Sequence, residues 1–462
     1  MKNELANIKH VYFLGIGGIG MSAIARYFHA VGKSVSGYDK TPTQLTQQLE
    51  YEGIAIHYDD DVNNIPSEII NCLDKSEVLV VLTPAIPKEH AEWNFLVQKN
   101  FTIIKRSKVL GVLTNGQTTL AVAGTHGKTT TSTMLAHILN SAVKNTSAFL
   151  GGISSNFKSN LLIGNTNAED HRIVVEADEF DRSFLQLFPD IAIITSMDPD
   201  HLDIYGDKNE MEHNYRLFAS QVKEKGVLIY KKGLAIGDVK SKTYSYSIET
   251  AECDFAGTNI RVENGFYHFD FKSTENYFSD LVLGLPGRHN VENAVAATAV
   301  AIMCGVTENE LRAALKSFSG AQRRFEIQIR NNHCVYIDDY AHHPAELNAA
   351  ILSAKELFPN KKITGIFQPH LFTRTRDFAT EFAQSLSLLD SLIMLDIYPA
   401  RELPIIGINS NTILDQVTIN DKCLVSKSDL LSEVKARNPE VLMTLGAGDI
   451  DQFVEPLIHL LN

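Results

Sequence analysis

Short apolar runs that end in glycine-rich turns set the frame of the first hundred residues. Residues 11–14, Val-Tyr-Phe-Leu, predict a buried strand that ends in Gly15-Ile16-Gly17-Gly18-Ile19-Gly20. Met21, Ile24, Ala25 and Phe28 then fall on one face of a helix that closes near Gly32. Ser34–Tyr38 predicts a second strand ending at Asp39, and Glu77–Leu82 a further one followed by Thr83-Pro84-Ala85-Ile86-Pro87. Strand alternating with helix describes a parallel, doubly wound α/β sheet.

The same rhythm resumes after an expected linker at Arg106–Asn115. Thr119–Ala123 predicts a strand, residues 131–139 a helix, and Ile173–Glu176 and Ile191–Ser196 two more strands. Segment 226–283 reads as strand-rich, with aromatic alternation around Phe266–Phe271, and is expected to be a small antiparallel insertion; a helix follows near Asn290. From Arg323 onward, strands at Val335–Ile337, Ile363–Phe367, Ser391–Leu395 and Val441–Thr444 alternate with helices at 344–358, 377–388 and 428–437. Three α/β domains in series are expected, at 1–107, 108–321 and 322–462.

Composition narrows the class. With 44% apolar and 21% charged residues the chain is an ordinary globular one. A formal net charge of −13 argues against a sequence-independent grip on nucleic acid. Cys72, Cys253, Cys304, Cys334 and Cys423 form no CxxC pair, so neither a zinc site nor a disulfide framework is indicated and a reducing cytoplasm fits best. Lys2, Lys9 and Ala23-Ile24-Ala25 mimic an export leader, but the glycines between Gly15 and Gly20 break the apolar run and Glu4 spoils the positive end. No apolar stretch approaches the length that crosses a bilayer.

The chemistry gathers at the turns. Gly124-Thr125-His126-Gly127-Lys128-Thr129-Thr130 lies between a buried strand and a helix, the setting of a phosphate-binding loop. Glycines there let the backbone approach a polyphosphate, whose charge meets the N–H groups that open the helix. Lys128 is placed for the outer phosphates and the Thr129 hydroxyl for Mg²⁺, so ATP is the expected ligand. One departure is that the early glycine of GxxxxGK falls on Val122. Gly15, Gly17 and Gly20 match GxGxxG, with Asp39 near the position that binds a ribose. That turn serves NAD or any other pyrophosphate, a UDP-sugar included; a second nucleotide loop makes a plain dehydrogenase the weaker choice.

Further candidates follow. Glu176 ends a strand and offers oxygen to Mg²⁺, a hard cation, although the acids at 176–181 also suit a solvated helix start. In Asp198-Pro199-Asp200-His201 a neutral imidazole suits a second metal. Asn290 and Asn293 supply amides at a helix start, suited to an adenine edge or to capping alone. Arg324 stands at the entry to the third domain, suited to carrying a cation onto a phosphate. Asp339 ends a strand and suits a ribose hydroxyl, whereas adjacent His342 and His343 do not share a face and argue against zinc. Arg374 and Arg376 in the segment 368–376 are fit to clamp a carboxylate.

Together these segments resemble the Mur ligases, which build the peptide of peptidoglycan on a UDP-sugar. The motifs that carry the resemblance run in the family's order: GIGGIGM at 15–21, GTHGKTT at 124–130, EADEFDRSF at 176–184, DPDHLDIY at 198–205, DDYAHHP at 338–344 and FQPHLFTRTRDF at 367–378. The resemblance implies a Rossmann-like UDP-binding domain, a central P-loop ATPase with a mostly parallel sheet, and a C-terminal Rossmann-like domain that closes over ATP and amino acid. It implies an ATP- and Mg²⁺-dependent ligase that adds L-alanine to the lactyl carboxylate of UDP-N-acetylmuramate through an acyl phosphate. By position it assigns Gly15, Gly17, Gly18, Gly20, Asp39 and Thr83 to the UDP-sugar. Gly124 through Thr130, Asn290, Asn293, Arg324 and Asp339 go to ATP, and Thr129, Glu176 and His201 to metal, with Lys128, Glu176, His201 and Arg324 catalytic. Tyr340, His370 and Arg374 surround the amino acid.

Two places depart from the family pattern. Tyr215-Arg216-Leu217-Phe218-Ala219 lacks the lysine that several relatives carbamylate, as the alanine-adding branch does, and Leu371 fills a place that is basic in some members. Three alternatives stand beside the resemblance: a recycling ligase that joins a ready-made tripeptide to the same UDP-sugar, a nucleotide-binding oxidoreductase, and a nucleotide switch. The switch lacks an NKxD motif; its nearest string is Asn360-Lys361-Lys362-Ile363.

Overall fold

The computed structural model describes residues 5, 7–166, 168–199, 205–331, 333–400 and 402–462. It is an α/β chain that divides into two compact units. One holds the residues up to Ala256 with Lys272–Asn276 and Asn293–Ala314; the other holds Gly257–Phe271, Tyr277–Glu292 and Leu315–Asn462.

The first unit carries two sheets. β1 (His10–Leu14), β2 (Ser34–Tyr38), β3 (Ala55–His57), β4 (Val78–Leu82) and β5 (Thr102–Lys105) lie in the order β3-β2-β1-β4-β5, every pair parallel. Val11 to Leu14 have no exposed surface, which is why an unbroken apolar run makes the central strand. Leu14 is level with Tyr38 and with Leu82, so the turns after β1, β2 and β4 open on one edge, where the strand order reverses. α1 (Ile19–Ala30) buries Met21, Ile24, Ala25 and Phe28 as its periodicity predicts.

The expected linker is instead a helix, Arg106–Thr114. Gly111 in its middle hid it from periodicity, since glycine weakens a helix by roughly 1 kcal/mol. The glycine is there because a Cβ would stand 2.6 Å from the carbonyl oxygen of Gln186.

The second sheet of this unit is built from β6 (Thr118–Ala123), β7 (Thr146–Ser154), β8 (Ser159–Leu162), β9 (Arg172–Glu176), β10 (Ile191–Ile194), β11 (Val227–Lys231) and β12 (Lys242–Ser247). Their order is β12-β11-β10-β6-β9-β7-β8, all pairs parallel except β7–β8. The insertion expected over 226–283 is therefore shorter: β11 and β12 extend the parallel sheet. Only β13 (Phe255–Glu263), β14 (Phe266–Ser273) and β15 (Tyr277–Leu283) form the consecutive side-by-side strands. The helix Lys128–Ser141 follows β6 with every residue from Thr129 to Leu139 buried. Asn160 on β8 ties α1 to this sheet, donating to the Ile19 carbonyl at 2.6 Å and to Ser22 Oγ at 2.9 Å while accepting from Arg26 at 2.5 Å.

In the second unit β16 (Glu326–Arg330), β17 (Val335–Asp339), β18 (Ile363–Phe367), β19 (Ser391–Met394), β20 (Lys422–Leu424) and β21 (Val441–Leu445) run in the order β16-β17-β21-β18-β19-β20. Only β16 is antiparallel. Leu347, Ile351 and Phe382 cover one face of this sheet, and Leu430, Val434 and Leu457 the other. A side chain so buried contributes roughly 1.5–3 kcal/mol. The helix expected over 377–388 is Ala379–Leu386, and a separate short helix, Phe372–Asp377, precedes it across Phe378. Edge strands β16 and β20 are polar enough to escape the pattern. Among the described residues no helix is long and apolar enough to cross a membrane.

Candidate active site

The first glycine loop sits at the reversal of strand order, beside Asp39 and Thr83. Gly15 has φ +87°, and a Cβ on it would stand 2.4 Å from Thr83 Cγ2, so Thr83 packs on the loop. Asp39, at the end of β2, holds the loop itself. Its Oδ2 accepts from the Gly17 N–H at 2.7 Å and its Oδ1 from Thr41 N–H at 3.2 Å. A Cβ at Gly17 would meet Thr46 Cγ2 at 2.7 Å and Asp39 Oδ2 at 2.8 Å. Gly17 is thus required by its own neighbours. Gly18 differs: it is exposed, and a Cβ there would make only an ordinary 3.6 Å contact with Met21. Gly20 opens α1 beneath Arg106, whose Nη1 lies 2.1 Å from where a Cβ would be.

The second loop is positioned by three level strands. Val122 on β6 pairs with Glu176 on β9, and Ala123 with Ile194 on β10, so the segments after all three open together. Gly124 has φ +135° and its missing Cβ makes room for Thr195 Oγ1. The loop is then laced to the segment after β10. Thr125 Oγ1 donates to the Asp198 carbonyl at 2.9 Å, and His126 N–H donates to Ser196 Oγ at 2.8 Å. Gly127, at φ +79°, starts the helix with no side-chain cap, and Thr129 and Thr130 are buried in its first turn. Asn293 packs on this turn, its Oδ1 2.7 Å from the place of a Gly127 Cβ.

Lys128 Nζ donates to the Gly124 carbonyl at 2.7 Å and to Glu179 at 2.8 Å, and Glu179 is 1% exposed. Burial pushes the Glu179 carboxyl up to about 7, against the pull of Lys128. Burial also opposes the charge on Lys128, but Glu179, Asp178 and Glu176 together hold its affinity for a proton above the usual lysine value. Glu179 was not among the residues singled out from the sequence; as the fourth residue of the acid cluster that starts at Glu176, it carried no spacing signal of its own. Glu176 Oε2 accepts from Gly151 N–H at 3.0 Å. His201 lies outside the described residues.

A cleft along α1 is lined by Ile19, Gly20, Arg106, Gly151, Glu176 and Asp178 among others. The end of the first loop thus shares a concave space with Glu176 and Asp178, two of the acids whose charges act on Lys128.

In the second unit the turns after β17, β18 and β21 share an edge, because Leu445 is level with both Asp339 and Phe367. The oxygens of Asp339 accept from Phe325 N–H and Ala341 N–H, both at 2.7 Å. Burial raises that carboxyl to about 7, with Arg324 pulling the other way. These bonds hold a strained turn in which Arg323 (φ +59°) and Phe325 (φ +51°) are left-handed, each costing roughly 1–3 kcal/mol. Arg323 is anchored inward on Asp338 Oδ2 at 3.0 Å and the Gly446 carbonyl at 2.7 Å. Arg324 lies over the Tyr340 ring at 5.1 Å and 3.7 Å from Glu346. Tyr340, His342, His370 and Tyr398 form a continuous chain of ring contacts. Arg374 is buried on Phe372–Asp377, just after Leu371, whose φ of +70° marks the bend. Asn290 is no cap: the helix starts at Arg288, and its amide reaches back to the Pro286 carbonyl at 2.5 Å.

Comparison with known proteins fits this geometry. Three family models match: "Mur ligase family, catalytic domain" at residues 10–118, "Mur ligase middle domain" at 122–301, and "Mur ligase, glutamate ligase domain" at 323–448. The UDP-N-acetylmuramate–L-alanine ligase of Christiangramia forsetii is 50% identical over 452 residues, 98% of this chain and 97% of its own. That of Flavobacterium psychrophilum is 49% identical over 451 residues, 98% of each. The crystal structure of the UDP-N-acetylmuramate-alanine ligase of Thermotoga maritima superposes with a TM-score of 0.79 at 26% identity, covering 97% of this chain and 98% of that one. A murein peptide ligase from Psychrobacter arcticus shares the fold, with a TM-score of 0.69 at 22% identity over 98% of each chain.

Proposed function

The chain belongs to the Mur ligase family, and on that premise we propose that it joins L-alanine to the lactyl carboxylate of UDP-N-acetylmuramate with hydrolysis of ATP to ADP and phosphate, a step in making peptidoglycan precursors. The observation that carries this reading is the pair of phosphate loops in one unit, with Glu176 and Asp178 lining the cleft beside the first and acting by charge on Lys128 of the second. One is a bare glycine turn; the other holds a buried lysine. We assign residues 1–107 to the UDP-sugar, 108–321 to ATP and 322–462 to the amino acid and the far side of the nucleotide.

A carboxylate is a poor electrophile at neutral pH. Transfer of the γ-phosphoryl group onto one carboxylate oxygen makes an acyl phosphate; the alanine amine then attacks the carbonyl carbon, phosphate leaves with that oxygen, and the amine loses a proton. We assign Lys128 to follow the phosphoryl charge, exchanging its bonds to the Gly124 carbonyl and Glu179 for phosphate oxygens. The Thr129 hydroxyl and the Glu176 carboxylate are oxygen donors of the kind Mg²⁺ takes, with His201 assigned to a second ion. Among the described residues no three His, Cys, Asp or Glu form a metal cluster. A site of one carboxylate, one hydroxyl and nucleotide phosphates needs none. When bound there, Mg²⁺ would offset negative charge on the phosphates.

Asn290 and Asn293 are assigned to adenine, and Arg324, presented by the turn that Asp339 holds, to phosphate. Tyr340 and His370 are assigned to the walls of the alanine site, and Arg374 to its carboxylate, which a guanidinium can grip at both oxygens.

The test is phosphate release from ATP in the presence of UDP-N-acetylmuramate and one amino donor at a time. L-Alanine should support turnover best. Turnover with a tripeptide and none with L-alanine would move the chain to the recycling reaction.

A further inference from the structure

We propose that Arg106 recognises the carboxylate carried by the sugar of the UDP-linked substrate, and so selects the acid-bearing sugar over its neutral parent. The inference rests on the reading that the cleft takes UDP-N-acetylmuramate.

Arg106 is the first residue of the helix that periodicity missed. Among the described residues that line the cleft it is the one cation, and it shares that lining with two carboxylates, Glu176 and Asp178. A carboxylate entering this space meets two charges of its own sign. Like charges at such close range repel even in bulk water, and by more in a sheltered cleft. The guanidinium offsets that repulsion. Its seat is specific: Nη1 occupies the space where residue 20 would carry a Cβ, so Gly20 lets the group lie flat on α1. Nη2 donates to Asp178 Oδ2 at 3.0 Å, leaving the side chain 21% exposed. Asp178 thus holds one corner of a fork with five N–H donors, and an incoming carboxylate can take the other edge or displace Asp178 outright.

Position separates this carboxylate from the substrate's pyrophosphate. The N–H groups that open α1 at Gly18 and Ile19 are the natural pyrophosphate seat. Arg106 lies farther along, lining the cleft with Gly20, Gly151, Glu176 and Asp178, and the last two act by charge on Lys128 of the second loop. That is where an oxygen must stand to receive a phosphoryl group held at Lys128.

Calorimetric titration of the full chain with UDP-N-acetylmuramate and with UDP-N-acetylglucosamine, which lacks the lactyl group, tests the assignment. The wild type should prefer the acid-bearing sugar. Arg106→Gln should weaken UDP-N-acetylmuramate about tenfold or more, the range for a hydrogen bond to a charged group, and leave UDP-N-acetylglucosamine and ATP nearly unchanged. Arg106→Lys, which keeps a point charge, should fall between, and it decides the case if Arg106→Gln does not fold. Equal weakening of both sugars would place Arg106 on the pyrophosphate and overturn the proposal, as would unchanged selectivity in both variants. A wild type that binds neither sugar would instead overturn the functional reading beneath it.

Discussion

The two glycine loops follow the same grammar, strand then glycine turn then helix, yet they solve opposite electrostatic problems. The loop at Gly124–Lys128 carries its cation inside the motif. Lys128 is stored against Glu179 in a buried pair and needs no help from elsewhere in sequence. The loop at Gly15–Gly20 has no cation of its own; an acid, Asp39, is spent holding its backbone, and the nearest positive charge comes from Arg106, more than eighty residues away. A motif therefore tells where phosphate goes more reliably than it tells which residue pairs with the charge.

The largest effect should come from removing the internal cation. Lys128→Ala should reduce ligation on the order of 10²–10³-fold, the scale of losing one preorganised charge donor. It also strands a buried carboxylate, costing up to about 3–5 kcal/mol. Lys128→Met combined with Glu179→Gln should restore much of that stability in urea titration while activity stays lost. Recovery of activity in the double variant would show that the pair is structural only and erase the contrast between the loops.

Next come the glycines of the first loop. Gly18→Ala should leave the melting temperature unchanged and raise the Michaelis constant for the UDP-sugar about tenfold, because its new Cβ meets only Met21 from inside and the ligand from outside. Gly17→Ala should behave differently, losing roughly 1–3 kcal/mol of stability as Asp39 and Thr46 are pushed away. If Gly18→Ala weakened ATP and spared the UDP-sugar, the ligands would have to be exchanged between loops.

The smallest effect is a pH dependence peculiar to the second loop. The folded chain holds the Glu179 proton up to about 7, whereas the unfolded chain releases it in the ordinary carboxylate range. Between those values the native state binds more protons, so stability should fall as pH rises through that window and level off above it. Glu179→Gln should flatten the slope, as measured by urea unfolding at about pH 5 and about pH 8.

What was legible in the sequence follows from what made a pattern. Parallel strands buried on both faces appear as apolar runs, so β1, β4, β6, β9 and β10 stood out, and with them the turns at their carboxyl ends. Arg106 was hidden because its helix contains Gly111, whose reason for being there is a carbonyl seventy-five residues later. Glu179 was hidden because partnership with Lys128 is set by the register of β6 and β9 and not by spacing. Asp39 and Asp339 were found by their places at strand ends, but the backbone N–H groups that take their oxygens were not legible. Strand ends say where a polar group lies; only the folded turn says what it bonds.

The claim that joins the two loops is that the carboxylate of the substrate at the first is phosphorylated by the nucleotide at the second. It is tested most directly by following ¹⁸O from the lactyl carboxylate of UDP-N-acetylmuramate during turnover with ATP and L-alanine. One labelled oxygen should appear in each released phosphate, detected by mass spectrometry. Unlabelled phosphate, with product still formed, would contradict the claim.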